Sequence, residues 1–128
     1  MVNATVVSAV VLLLAITGCS EKTNPKIDSE IDADIKKMAT QLPLQVSEVM
    51  SITGMERDGK KVIYTYSFIK PDIKPGKFDT KLALEAGKAQ LCKAKQTMDM
   101  MNEGYVFVYR YKYMTGDVET VSFSKGEC

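Results

Sequence analysis

The hydrophobic positions change their period several times along the chain. Ile27, Ile31, Ile35, Met38 and Leu42 recur at intervals of four and three, which predicts a helix with one apolar face. Asp28 or Ser29 suits its first turn, Lys36 and Lys37 suit its later turns, and Pro43 ends it. From Leu44 to Met55 the alternation is imperfect, with Leu44, Val46, Val49, Met50 and Ile52 apolar and Gly54 placed for a bulge. Arg57-Asp58-Gly59-Lys60 reads as a tight turn into a strand from Val62 to Ile69, with Val62, Tyr64, Tyr66 and Phe68 on one side.

Lys70 to Gly76, carrying Pro71 and Pro75, predicts a crossover loop. Asp79 or Thr80 then caps a helix through Leu82, Ala83, Ala86, Ala89, Gln90 and Cys92. Gly87 inside that helix costs up to about 1 kcal/mol relative to alanine, which points to close packing on the sheet. A Met-rich helical stretch from Lys95 to Glu103 ends at Gly104, a C-terminal cap residue. The densest β pattern follows, Tyr105 to Met114, then a Thr115-Gly116-Asp117 turn and a strand from Val118 to Ser124. Helix, hairpin, helix, hairpin is an α+β order. It predicts a single antiparallel sheet of about four strands, in two hairpins, with the helices on one face.

The strand from Tyr105 to Met114 divides into an aromatic side (Tyr105, Phe107, Tyr109, Tyr111, Tyr113) and a mixed side (Val106, Val108, Arg110, Lys112, Met114). The aromatic side either faces the helices as core or forms an exposed stacking surface. Met98, Met100, Met101 and Met114 admit two uses, helix packing on the sheet or an adaptable wall for a foreign helix. In the second use, Met98 and Met101 line a groove, Val106 and Val108 form its floor, and Arg110 and Lys112 give it a basic end.

Composition narrows the chemistry. The chain has no histidine and no tryptophan, so the commonest general base and the commonest transition-metal ligand are missing. A net charge of +1 gives no field for capturing nucleic acid. Asp32, Asp34 and Glu127 are isolated carboxylates, and Ser124-Lys125 has no second element to make a dyad. No phosphate loop, metal spacing or nucleophile elbow occurs, so the expectation is no enzyme, no cofactor and no metal.

Ala4 to Ile16 is an apolar run of signal-peptide length, ending in Ile16-Thr17-Gly18-Cys19. That ending resembles a bacterial lipobox, although Met1-Val2-Asn3 brings no Lys or Arg. The resemblance implies a signal peptide over residues 1–18 and an acylated Cys19 as mature N-terminus. By resemblance to enterobacterial lipoprotein sorting, where Asp at that place favours retention in the inner membrane, Ser20 implies the outer membrane. Residues 19–26 read as a polar tether and 27–128 as one domain. In an oxidising compartment Cys92 and Cys128 are expected to pair, closing a loop worth about 4 kcal/mol, with a reactive thiol beside Lys93 and Lys95 as the alternative.

Gln41-Leu42-Pro43-Leu44, Leu91-Cys92, Met101-Asn102-Glu103-Gly104-Tyr105, Thr115-Gly116-Asp117 and Cys128 together resemble the β-type pilotins of type II secretion, and similar small exported bacterial proteins. The resemblance implies a periplasm-facing outer-membrane lipoprotein with a helix–hairpin–helix–hairpin domain and a disulfide from the second helical region to the C-terminus. It also implies an adaptor that grips a helical tail of a secretin, with no contact residue carried over. A reading from another class is a periplasmic immunity or exclusion lipoprotein that blocks an incoming toxin, phage or conjugation component.

Overall fold

The computed structural model describes residues 22–128, so the signal segment and Cys19 lie outside the described residues. Helix α1 spans Pro25–Ala39 and begins within the stretch expected to be tether. Its cap is Asn24, not Asp28 or Ser29: the Asn24 Oδ1 accepts from the backbone N–H groups of Lys26 and Ile27, and Pro25 opens the helix. The chain continues through β1 (Leu44–Gln45), β2 (Met50–Asp58) and β3 (Lys61–Phe68). Helices α2 (Thr80–Leu91) and α3 (Lys95–Asn102) follow, then β4 (Val106–Lys112), β5 (Val118–Phe123) and a 3-10 turn over Lys125–Glu127.

The fold is α+β, with two corrections to the expected sheet. It has five strands in the order β1-β2-β3-β4-β5. The run from Leu44 to Met55 is broken where Val46 and Ser47 both donate to the Met50 carbonyl, which folds β1 back on β2. The sheet is also mixed, because β3 and β4 are parallel. The Val106 N–H donates to the Lys60 carbonyl, so β4 starts beside the start of β3 after the two helices have carried the chain back. A helical crossover between the inner strands of two hairpins makes that central pairing parallel. Within β2 the register shifts between Ile52 and Gly54, the expected bulge.

Helix α1 packs on β2 and α2 packs on β5, while α3 lies against the C-terminal turn. The main core gathers Ile31, Val62, Met100, Met101, Tyr105, Phe107 and Phe123 at the α3 end of the sheet. A smaller core of Phe68, Tyr111 and Tyr113 sits at the other end, under Ile73 and Phe78 of the crossover loop. Helix α3 closes with the Gly104 N–H on the Met101 carbonyl and the Tyr105 N–H on the Met100 carbonyl. Gly104 carries φ of 88°, which completes a Schellman motif and turns Tyr105 into the core. Cys92, the C-terminal cap of α2, is bonded to Cys128 with Cα atoms 5.7 Å apart, tying the chain's end to the junction of α2 and α3.

Candidate docking trough

The two inner strands carry aromatic residues towards the helices, and the parallel register sets them side by side. Val62 pairs with Phe107, Tyr64 with Tyr109 and Tyr66 with Tyr111. Tyr64 and Tyr109 stack with centroids 5.7 Å apart, and Tyr66 and Tyr111 with centroids 5.4 Å apart. The helices flank this strip rather than cover it. Because α1 and α2 sit over β2 and β5, three strand spacings or about 14 Å separate the strands beneath them. Packed helices approach to about 8–10 Å, so α1 and α2 do not meet over the middle of the sheet.

A groove of about 380 Å³ results, lined by Tyr66, Ala83, Leu84, Gly87, Gln90, Leu91, Ala94, Tyr109 and Tyr111. A smaller hollow lined by Asp34, Lys37, Met38, Gln41, Met55 and Tyr64 continues towards α1. Together they form a trough with a tyrosine floor, an α2 wall in which Ala83 and Gly87 leave gaps between Leu84, Gln90 and Leu91, and an α1 rim. Gly87 does not pack closely on the sheet as its place in the sequence suggested. A Cβ added there would have nothing within 4 Å, so the residue faces the open groove.

Among the described residues, the hydroxyls of Tyr64, Tyr66, Tyr109 and Tyr111 make no hydrogen bond to protein. Burial raises all four phenols, the Tyr111 phenol to about 12 with neighbouring Tyr66 adding to it. They therefore stay protonated at any physiological pH, as hydrogen-bond donors on an apolar floor. No charged residue lines the main groove. Such a surface can bind a partner.

Tyr105 stands in contrast. Its hydroxyl accepts from the Asn24 N–H and donates to the Asp28 carboxylate. Arg57 completes the cluster, bonding Asp32 at 2.9 and 3.0 Å and reaching Asp28 at 3.5 Å. Burial pushes the Asp28 carboxyl up, but bonds from Thr23 and Tyr105 and the charge of Arg57 outweigh it and hold it below its ordinary value. The Arg57 hydrogen bond likewise holds Asp32 down. This network pins the start of α1 to β2 and to the approach to β4.

The residues expected to form a methionine-walled groove are not brought together. Met101 is 2% exposed and Met98 packs against the same core, so the methionines join α3 to the sheet. Val106, Val108, Arg110 and Lys112 lie on the opposite, helix-free face, because alternation from Phe107 turns them away. Val108 is only 8% exposed, and Arg110 is engaged with Glu56 at 3.2 Å, across β3. That ion pair spans Ile63 and Thr65, both buried.

The described residues also form a larger cleft of about 800 Å³ between the start of α1 and α3, lined mostly by polar and charged residues. Its Lys95 and Asp99 pair with each other at 2.8 Å, so it reads as a solvated seam. Among the described residues, no group of three or more His, Cys, Asp or Glu is placed to hold a metal ion. No described helix is long and apolar enough to cross a membrane.

No family model matches the sequence, and no curated protein matches it. Solved structures share the fold. A Pseudomonas aeruginosa protein inferred to be secreted is similar with a TM-score of 0.66 at 14% identity, over 80% of this chain and 93% of that one. The type II secretion system pilotin AspS of Vibrio cholerae is similar with a TM-score of 0.58 at 15% identity, over 80% and 93%. The pilotin EpsS of the Vibrio vulnificus type 2 secretion system gives 0.59 at 8% identity, over 80% and 92%. The chain thus shares its fold with that protein and with the two pilotins.

Proposed function

We propose that this chain is the folded part of an exported bacterial lipoprotein, anchored through Cys19 and facing the periplasm from the outer membrane. It acts as an adaptor of the pilotin kind and holds a helical segment of an outer-membrane secretion component. The observation that carries this reading is the trough between α1 and α2, a neutral, tyrosine-floored groove in a domain with the pilotin fold. A helix about 10–12 Å across cannot drop fully between two helices seated over strands about 14 Å apart, but it can seat in the V above them. That is the geometry of helix-in-groove recognition, in which an amphipathic helix lays its apolar face on a preformed floor. The lipid supplies location and the groove supplies grip.

Capture from detergent-solubilised envelopes tests the reading, comparing the wild type with a Tyr66→Arg/Tyr109→Arg variant shown to be folded by its melting curve. A secretin subunit should be held by the wild type and lost by the variant. A secretin held equally by both, or no secretin at all, contradicts it. For the anchor, radiolabelled palmitate should enter the wild type and not Cys19→Ser.

A further inference from the structure

Gly87 is anomalous within α2. It sits in the middle of a helix, where glycine is a poor former, yet its φ is not positive and no neighbour stands where a Cβ would go. Neither a turn nor close packing calls for it. The space it leaves opens directly into the main groove, between Leu84 and Leu91 on the same helix and above Tyr66, Tyr109 and Tyr111. Ala83 and Ala94 keep the rest of that wall low.

A second observation marks the same spot. Tyr111 is 6% exposed and lines the groove, and its hydroxyl has no hydrogen-bond partner among the described residues. Among the described residues the hydroxyl sealed from solvent without a partner is that of Tyr113, whereas the Tyr111 hydroxyl reaches the groove and is left free to bond an occupant. Its neighbours Tyr66 and Tyr109 offer two more donors, and no acid or base among the lining residues competes for them. A phenol donates more strongly than it accepts, so the floor favours a neutral occupant that offers acceptors. The last turn of a helix, with up to four free carbonyls and the negative end of the dipole, has that character.

We propose that Gly87 is a specificity-determining notch for the docked segment. It receives one bulky apolar side chain, leucine or phenylalanine, from the last turns of a partner helix. The hydroxyls of Tyr66, Tyr109 and Tyr111 donate to the free carbonyls at that helix's C-terminal end. This inference rests on the helix-docking reading of the trough and adds the polarity of the helix and the residue that selects it.

The test is a selection of 14-residue helical peptides, randomised on one face and displayed on phage, against the mature protein. Selected peptides are then measured on four variants: Gly87→Leu, Gly87→Ala, Tyr111→Phe and Tyr66→Arg. The expected peptides carry Leu or Phe near their C-terminal end and lose binding to Tyr66→Arg. They bind Gly87→Leu at least tenfold more weakly and Tyr111→Phe severalfold more weakly. Gly87→Ala, which adds one methyl to open space, should melt higher than wild type and bind more weakly, a split that a purely structural glycine would not give. Should Gly87→Leu fail to fold, Gly87→Ala alone decides. Peptides that are lost on Tyr66→Arg but held equally by both Gly87 variants overturn the notch and leave the docking reading standing. If no selected peptide responds to Tyr66→Arg, both are overturned.

Discussion

At the α3 end of the sheet, Ile31, Met100, Met101 and Phe123 close over Tyr105, and the Tyr105 hydroxyl is shared between Asn24 and Asp28. A few residues further along and on the same side, Tyr109 is partly buried and Tyr111 buried, yet their hydroxyls bond no described residue and a groove lies above them. One surface of one sheet is thus core at its end and open in its middle. The residue type does not make the difference. What matters is what the crossover places overhead: bulky Met100 and Met101 from α3 in one case, Ala83, Gly87 and Ala94 in the other. Amphipathic phenols suit both settings, since a phenol can be satisfied by its own fold or left for a partner.

Substitutions should separate the two regions, and the largest effect belongs to the closed end. Met101→Asp puts a carboxylate where the side chain is almost wholly buried, and should cost about 3–5 kcal/mol or prevent folding, read from the denaturant midpoint. Cys92→Ala or Cys128→Ala should cost about 2–4 kcal/mol, and both thiols of the native exported protein should resist alkylation. Full labelling without reductant would refute that pairing.

Tyr105→Phe comes next, at about 1–3 kcal/mol, because it strips a partner from the Asp28 carboxylate and the Asn24 N–H. The same network makes an acid limb. Asp28 and Asp32 titrate below the 3.8 of a free carboxyl in the folded state. Their contribution is therefore complete above pH 3.8 and lost as pH falls through the lowered folded values. Asp32→Asn should flatten that limb in a pH series of melting curves. Tyr111 has the opposite sign. Its phenol rises from 10 to about 12 on folding, so its contribution is complete below pH 10 and lost between 10 and 12.

The smallest effects belong to the open middle. Tyr109→Phe and Tyr111→Phe remove hydroxyls bonded to no described residue and should move stability by less than about 0.5 kcal/mol. A loss above 1.5 kcal/mol at either site, on the order of a lost hydrogen bond, would make the trough tyrosines structural after all.

Much of the fold could be read from the chain, because local patterns carry local structure. The Ile27–Ile31–Ile35 spacing, the Asp58-Gly59 turn, the bulge at Gly54 and the Gly104 cap all leave a mark within a few residues. How the two hairpins meet is a non-local matter, and alternation along a strand is the same for either direction. The helical crossover between them did hold the clue, since a connection of that kind normally joins parallel strands. The trough was hidden for a related reason. The paired tyrosines come from β3 and β4, far apart in sequence, and only the parallel register sets Tyr64 beside Tyr109. Methionine density points to α3 instead, where the thioethers of Met100 and Met101 serve as core filler. The available signal was the run Ala83, Ala86, Gly87 and Ala89 on α2, which leaves Leu84 and Leu91 as its large side chains towards two aromatic strands.

The most direct test of the contrast places a photo-crosslinking benzoylphenylalanine at Tyr66 or at Thr120 in the lipid-anchored protein, in intact cells. Thr120 pairs with Arg110 on the exposed helix-free face and serves as the control. The expected result is an adduct with an outer-membrane partner from Tyr66 and none from Thr120. An adduct from Thr120 with none from Tyr66 would contradict it.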